Sequence, residues 1–121
     1  MARTRETGQE YFGSGITPTA QQALSAAGAV TITQYCTVVN TTTGSGFAAT
    51  LAKGARTGQL KKIILIVDGG DLVLTVANMA GGNTWTFADA GDSILLQWDG
   101  VQWVTIEACG AVDAGPVLST A

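Results

Sequence analysis

The sequence predicts an all-β protein: a small β-sandwich or barrel-like domain of about seven to eight short antiparallel strands behind an extended N-terminal arm. Three observations predict it. From Val30 onward, apolar residues recur with a period of two. Glycine- and aspartate-bearing turn signals interrupt that alternation at short intervals. No stretch of helical period stands between the alternating segments. The length of 121 residues predicts one domain. A chain of this size hides roughly two-thirds of the surface that its unfolded form exposes, enough for a core without staples.

Residues 1–28 stand apart from the rest. MARTRETGQEYFGSGITP is polar, glycine-punctuated and without period, as an extended arm is. In TPTAQQALSAAG, Thr17 followed by Pro18 offers a helix start and Gly28 a stop, so a short helix is possible there. Two or three turns are marginal in isolation and need something to dock on. Tyr11 and Phe12 form an adjacent aromatic pair that is costly to expose unless it anchors. Arg3 and Arg5, beside Glu6 and Glu10, either end in solvent or make charge-assisted contacts with a partner.

The expected body is residues 29–110, with 111–121 as a C-terminal tail. In VTITQYCTVVN, Val30, Ile32, Cys36 and Val38 share one face. TTTGSG is a loop. FAATL sets Phe47, Ala49 and Leu51 on one side, and KGARTGQ is a second loop. LKKIILIV is apolar on both faces over 63–67, as a central strand is, with Lys61-Lys62 read as solvated edge protection. Asp68-Gly69-Gly70-Asp71 signals a hairpin returning into LVLTV. Gly81-Gly82-Asn83 introduces TWTFA, with Trp85 and Phe87 on one face.

The last hairpin is the clearest. Asp99-Gly100 between SILLQW and VQWVTIE suits a two-residue type I′ turn. That register opposes Trp98 to Val101, Leu96 to Trp103 and Ile94 to Thr105. On the other side it opposes Gln97 to Gln102, Leu95 to Val104 and Ser93 to Ile106. Leu95, Val104 and Ile106 then make an apolar base on the face away from the core. A hairpin apolar on both faces packs on two things, and the second is another sheet or another subunit.

The chain contains no histidine. That removes the commonest general base, the usual zinc ligand and the Ser-His and Cys-His arrangements. No phosphate-binding glycine loop is present. Asp68 with Asp71 and Asp89 with Asp92 flank glycines, where aspartate caps backbone amides more readily than it does acid–base or calcium chemistry. Trp85, Trp98 and Trp103 read as core and interface packing rather than a sugar-stacking platform. Asn40-Thr41-Thr42 matches a glycosylation sequon but reads as a loop. No enzyme, cofactor or metal site is expected.

Charged residues are only 12% of the chain, about half the usual share. Such a chain coats itself in hydroxyls or hides much of its outside against partners, and partners are the favoured reading. The net charge of −3 argues against nucleic acid. No apolar run is long enough to span a bilayer, and no secretory signal is visible at the start. Cys36 and Cys109 are expected as buried free thiols in a reducing cytoplasm.

Several stretches also resemble a β-module of tailed-bacteriophage virion proteins. They are LSAAGAVTITQYCTVVN, ATLAKGARTGQLKKIILIVDGGD and TVANMAGGNTWTFADAGDSILLQWDGVQWVTI. The residues carrying the likeness are Thr50-Leu51-Ala52, Gly58-Gln59, Asp68-Gly69-Gly70-Asp71, Gly81-Gly82, Ala90-Gly91-Asp92-Ser93 and Trp98-Asp99-Gly100 with Trp103, within residues 24 to 106. The resemblance implies a structural virion protein, most like a capsid decoration, or cement, protein. Such a protein is a homotrimer that sits on the outer capsid surface and bridges neighbouring subunits of the major capsid protein. The arm, through Arg3, Arg5, Tyr11 and Phe12, is then the gripping element, and Leu95, Val104 and Ile106 belong to a subunit interface. The alternative it implies is a head-fibre, tail-fibre or spike module that binds host-surface glycans.

Overall fold

A computed structural model of the chain describes residues 21–42, 45–110 and 115–120. Arg3, Arg5, Tyr11 and Phe12 lie outside these residues. The domain is all-β, and no helix occurs among the described residues. Ten strands follow in order: β1 (Gln22–Leu24), β2 (Gly28–Val30), β3 (Cys36–Asn40), β4 (Gly46–Leu51), β5 (Leu60–Val67), β6 (Asp71–Val76), β7 (Thr84–Phe87), β8 (Ser93–Trp98), β9 (Trp103–Cys109) and β10 (Val117–Ser119). They form two five-stranded sheets. The first runs β1-β3-β5-β8-β9 and the second β10-β7-β6-β4-β2.

The strand pairing is mixed rather than wholly antiparallel. The first six strands alternate between the two sheets, so each circuit adds one strand to each layer running in the same direction as the last. The pairs β1–β3, β3–β5, β2–β4 and β4–β6 are therefore parallel. Antiparallel pairing enters with β6–β7, β5–β8, β8–β9 and β7–β10. Several turn signals thus carry the chain from one sheet to the other, across the roughly 10 Å between packed layers.

Asp68-Gly69-Gly70-Asp71 is such a crossing and not a hairpin, since β5 and β6 belong to different sheets. Thr41, fully buried, holds the crossing. Its amide donates to Val67 O at 3.0 Å. Its hydroxyl donates to Gly70 O at 2.7 Å and accepts from Gly69 N at 3.0 Å. The two glycines are needed because the Thr41–Thr42 and Ser45–Gly46 backbones lie where their Cβ atoms would stand.

The expected helix is absent over residues 21–28, where β1 and the start of β2 stand instead. A two-turn helix gains little alone. In the strand, Gln22, Ala23 and Leu24 pair with Thr37, Val38 and Val39, and Leu24 packs on the core. Strands β1 and β10 lie outside the 29–110 span expected for the body, and each completes a sheet edge. The VTITQYCTVVN segment is likewise not one strand. Val30 ends β2 in the second sheet and Cys36 opens β3 in the first, so Thr37 and Val39 face inward while Cys36 and Val38 face out.

The core lies between the layers. Val39, Ile63, Leu65, Ile94 and Leu96 of the first sheet meet Leu51, Leu72, Leu74, Val76 and Phe87 of the second, all at most 2% exposed. Each such side chain contributes roughly 1.5–3 kcal/mol of burial. Trp103, fully buried, links the layers. Its Nε1 donates to Ala52 O at 2.9 Å, and its ring meets Trp98 edge-on at 5.4 Å and 67°.

Candidate interaction surface

The acidic turns are occupied with backbone work. Asp68 Oδ1 accepts from Gly70 N at 3.1 Å. Asp92 Oδ2 accepts from the amides of Ala88 and Asp89 at 3.1 and 3.2 Å. Asp99 Oδ1 accepts from the amides of Val101 and Gln102, both at 2.8 Å, and these bonds hold its carboxyl below the usual range. Asp99 thereby closes a four-residue loop, not a two-residue turn. Trp98 opposes Trp103, Gln97 opposes Val104 and Leu96 opposes Thr105. No group of three His, Cys, Asp or Glu side chains able to hold a metal ion occurs among the described residues. No helix among them is long and apolar enough to cross a membrane.

Trp85, Trp98 and Trp103 are at most 6% exposed, so their indole faces offer no stacking platform. An open cleft of about 620 Å³ lies between the 32–33 and 55–59 loops. Gln59 holds its walls together: Oε1 accepts from Ala55 N at 2.6 Å, and Nε2 donates to Ile32 O at 2.7 Å. Among the described residues, Arg56 is the one charged side chain lining it.

Lys61 does not protect an edge. It sits on β5, the middle strand of its sheet, points into the sandwich and is 1% exposed. Its Nζ donates to Gln34 O at 3.0 Å and to Thr37 Oγ1 at 2.7 Å. Thr37 Oγ1 in turn donates to Gln22 Oε1 at 2.8 Å, and that oxygen also accepts from Thr31 N at 2.9 Å. This chain of bonds ties β1, β3 and β5 to the start of the loop after β2. Burial lowers the Lys61 pKa from 10.5 to about 8, against an opposing pull from Cys36.

No described element covers the outer face of the first sheet. Register places Val38 beside Ile64, Ile64 beside Ser93 and Ser93 beside Cys109. The next row runs Cys36, Lys62, Leu95 and Glu107. The four-residue loop shifts β9 by two residues and a β-bulge between Leu95 and Leu96 by one more, so Ile94 opposes Ala108 and Ser93 opposes Cys109, rather than Thr105 and Ile106. Ile106 is the extra residue and stands with Glu107 across from Leu95. Leu95 and Val104 share this outer face by register and are half-buried, and Ile106, opposite Leu95 at the bulge, is 52% exposed.

Beyond Val104, every residue of β9 from Thr105 to Cys109 is exposed, and its outer edge pairs with no described strand. Cys36 is half-buried and Cys109 exposed, so neither thiol is buried as expected; both are free. Desolvation and the neighbouring Glu107 carboxylate push the Cys109 thiol up.

The outer face of the second sheet differs in chemistry. Its rows are Ala29, Thr50, Thr75, Thr84 and Ser119, then Ala48, Val73, Thr86 and Val117. Threonine, alanine and serine outnumber the branched aliphatics Val73 and Val117 here, and Asp71 is the one charged residue of these strands. The two outer faces therefore differ in composition: the first carries isoleucine, leucine and valine with Lys62 and Glu107, the second mainly threonine and alanine with Val73 and Val117. No protein-family model matches the chain, and no curated protein matches it.

Proposed function

We propose that the chain is a structural virion protein that decorates the outside of a bacteriophage capsid and stabilises it by bridging neighbouring capsid subunits. The observation that supports this most is the aliphatic outer face of the first sheet, continuous with the exposed β9 edge, in a chain with only 12% charged residues. A lone soluble domain gains nothing from leaving Ile64, Leu95, Val104 and Ile106 on an outer face. A module that works in contact with copies of itself and with a shell does. The module resemblance over residues 24 to 106 points the same way, toward a homotrimer built on the major capsid protein.

In this reading the β-body self-associates, and residues 1–20, carrying Arg3, Arg5, Tyr11 and Phe12, grip the shell. Stabilisation comes by mass action, since many modest contacts per particle add through multivalency. The glycan-binding fibre reading loses its tryptophan platform, because all three indoles are buried.

The test is the bursting temperature of heads with and without the protein. Coated heads are expected to open at higher temperature, and equal values contradict cementing. Deletion of residues 1–15 is expected to leave a folded body that no longer coats heads. Normal coating by the truncated chain removes the arm from the account.

A further inference from the structure

Only two charged side chains stand on the outer face of the first sheet among the described residues, and they have opposite signs. Lys62 on β5 opposes Leu95 on β8, and Leu95 opposes Glu107 on β9. A cation and an anion thus lie in one row, two strand spacings or about 10 Å apart, with a leucine between them. The described structure pairs neither of them with an ion partner. A charge left on an aliphatic face works against association with most apolar partners. Two opposite charges placed asymmetrically on a face favour one partner above others, a surface carrying the same pattern in reverse order.

We propose that this face is an interface between copies of this chain, in which Glu107 on the β9 edge of one copy pairs with Lys62 of the next. The inference rests on the self-association stated under Proposed function and names its geometry. Rotation about an axis parallel to the strands sets the β9 side of one copy against the β5 side of its neighbour. Cys109 then lies over the Val38–Ile64 row, and each Glu107 meets a Lys62. A two-fold axis running across the strands through that row sets Lys62 against Lys62 and Glu107 against Glu107, so the charges select against it. A strand-parallel axis keeps this pairing whether it is two-fold, where the contact is isologous, or three-fold, where the contact is head-to-tail and closes as a ring.

The size of the face sets the strength expected. Five strands about 4.8 Å apart, averaging about six residues of about 3.3 Å, give a planar area of roughly 450 Å². A standard stable interface buries about 800 Å² per partner. Association is therefore expected at micromolar rather than nanomolar concentration, with the charge pair fixing register more than supplying affinity.

The test is sedimentation of the full chain across about 1–200 μM. The parent chain is expected to associate in this range. Lys62→Glu and Glu107→Lys, each of which meets a like charge, are expected to raise the dissociation constant at least about tenfold. The double variant K62E/E107K restores complementarity and is expected to return within about threefold of the parent. Near-ultraviolet circular dichroism of each variant checks that the fold is intact, and Cys109, on the same face, is expected to be shielded from a bulky maleimide only in the associated state.

A parent chain that stays monomeric throughout overturns the inference. So do single variants that associate as the parent does, or a double variant as weak as the singles. Head binding separates this inference from the functional reading: a monomer that still coats heads overturns the interface alone, and an associating chain that coats none overturns the decoration role alone.

Discussion

Lys61 offers a prediction that can be worked through from the structure. Its ammonium is buried, with two neutral acceptors, Gln34 O at 3.0 Å and Thr37 Oγ1 at 2.7 Å, and no carboxylate bonded to it among the described residues. Burial lowers the pKa from 10.5 to about 8. Below pH 8 both the folded and unfolded states carry the proton, and the folded state bears the full desolvation cost. Between pH 8 and 10.5 the folded state gives up its proton while the unfolded state keeps it. The unfolded state then binds more protons, so stability rises with pH across this window. At 1.36 kcal/mol per unit, a displacement from 10.5 to about 8 corresponds to about 3 kcal/mol.

Lys61→Met removes the titrating group and keeps most of the volume. The loss of the bond to Gln34 O returns about 1–3 kcal/mol of cost. Thr37 keeps Gln22 Oε1 as a partner. The variant is therefore expected to equal or exceed the parent by up to about 2 kcal/mol at pH 7, and to fall behind it by pH 10.5. The assay is urea denaturation followed by tryptophan fluorescence from pH 6 to 10.5, with the variant-minus-parent difference plotted against pH so that other titrating groups cancel. A difference that stays flat across pH 8–10.5 refutes the reasoning, as does one that moves in the variant's favour.

Other consequences are equally direct. Thr41→Val keeps shape but strands Gly70 O and Gly69 N, and is expected to cost about 2–4 kcal/mol in chemical denaturation, whereas Thr41→Ser costs less than half of that. Trp103→Ala opens a cavity between the sheets and frees Ala52 O, and a loss of about 4 kcal/mol or more is expected, read as the shift in urea midpoint. Gly46→Ala sets a Cβ against the Asp71 backbone at a φ of 98°, and a melting temperature lowered by several degrees is expected.

Much of the fold was legible because period-two alternation reports which residues share a face whatever the topology. Phe47 with Ala49 and Leu51, and Trp85 with Phe87, face the core as the alternation requires. Topology was less legible. A glycine-bearing turn that folds a strand back in its own sheet and one that carries it to the opposite sheet need the same residue types. Asp68-Gly69-Gly70-Asp71 proved to be the second kind, and only its contacts with Thr41 and Ser45, both distant in sequence, distinguish them. The same blindness turned one expected strand into β2 and β3.

At the last hairpin, Asp99 capping two amides lengthened the loop by two residues. A shift of two preserves the faces, so Leu96, Trp98 and Trp103 still point inward. The bulge beside Leu95 has no local signature and moved everything beyond it. The candidate surface was half legible: Leu95 and Val104 share a face as the alternation indicated, but the bulge takes Ile106 out of that alternation, and the placing of Lys62 and Glu107 on either side of Leu95 depends on strand order. Adjacent lysines suggested edge protection. In a middle strand they divide instead, Lys61 into the core and Lys62 onto the outer face.

The most direct measurement is the location of the protein on a particle. Immunogold electron microscopy, with antibody to the chain and particles purified from the cells that make it, is predicted to place label over the outer surface of head shells. Label confined to tails, or no labelled particle at all, contradicts the account.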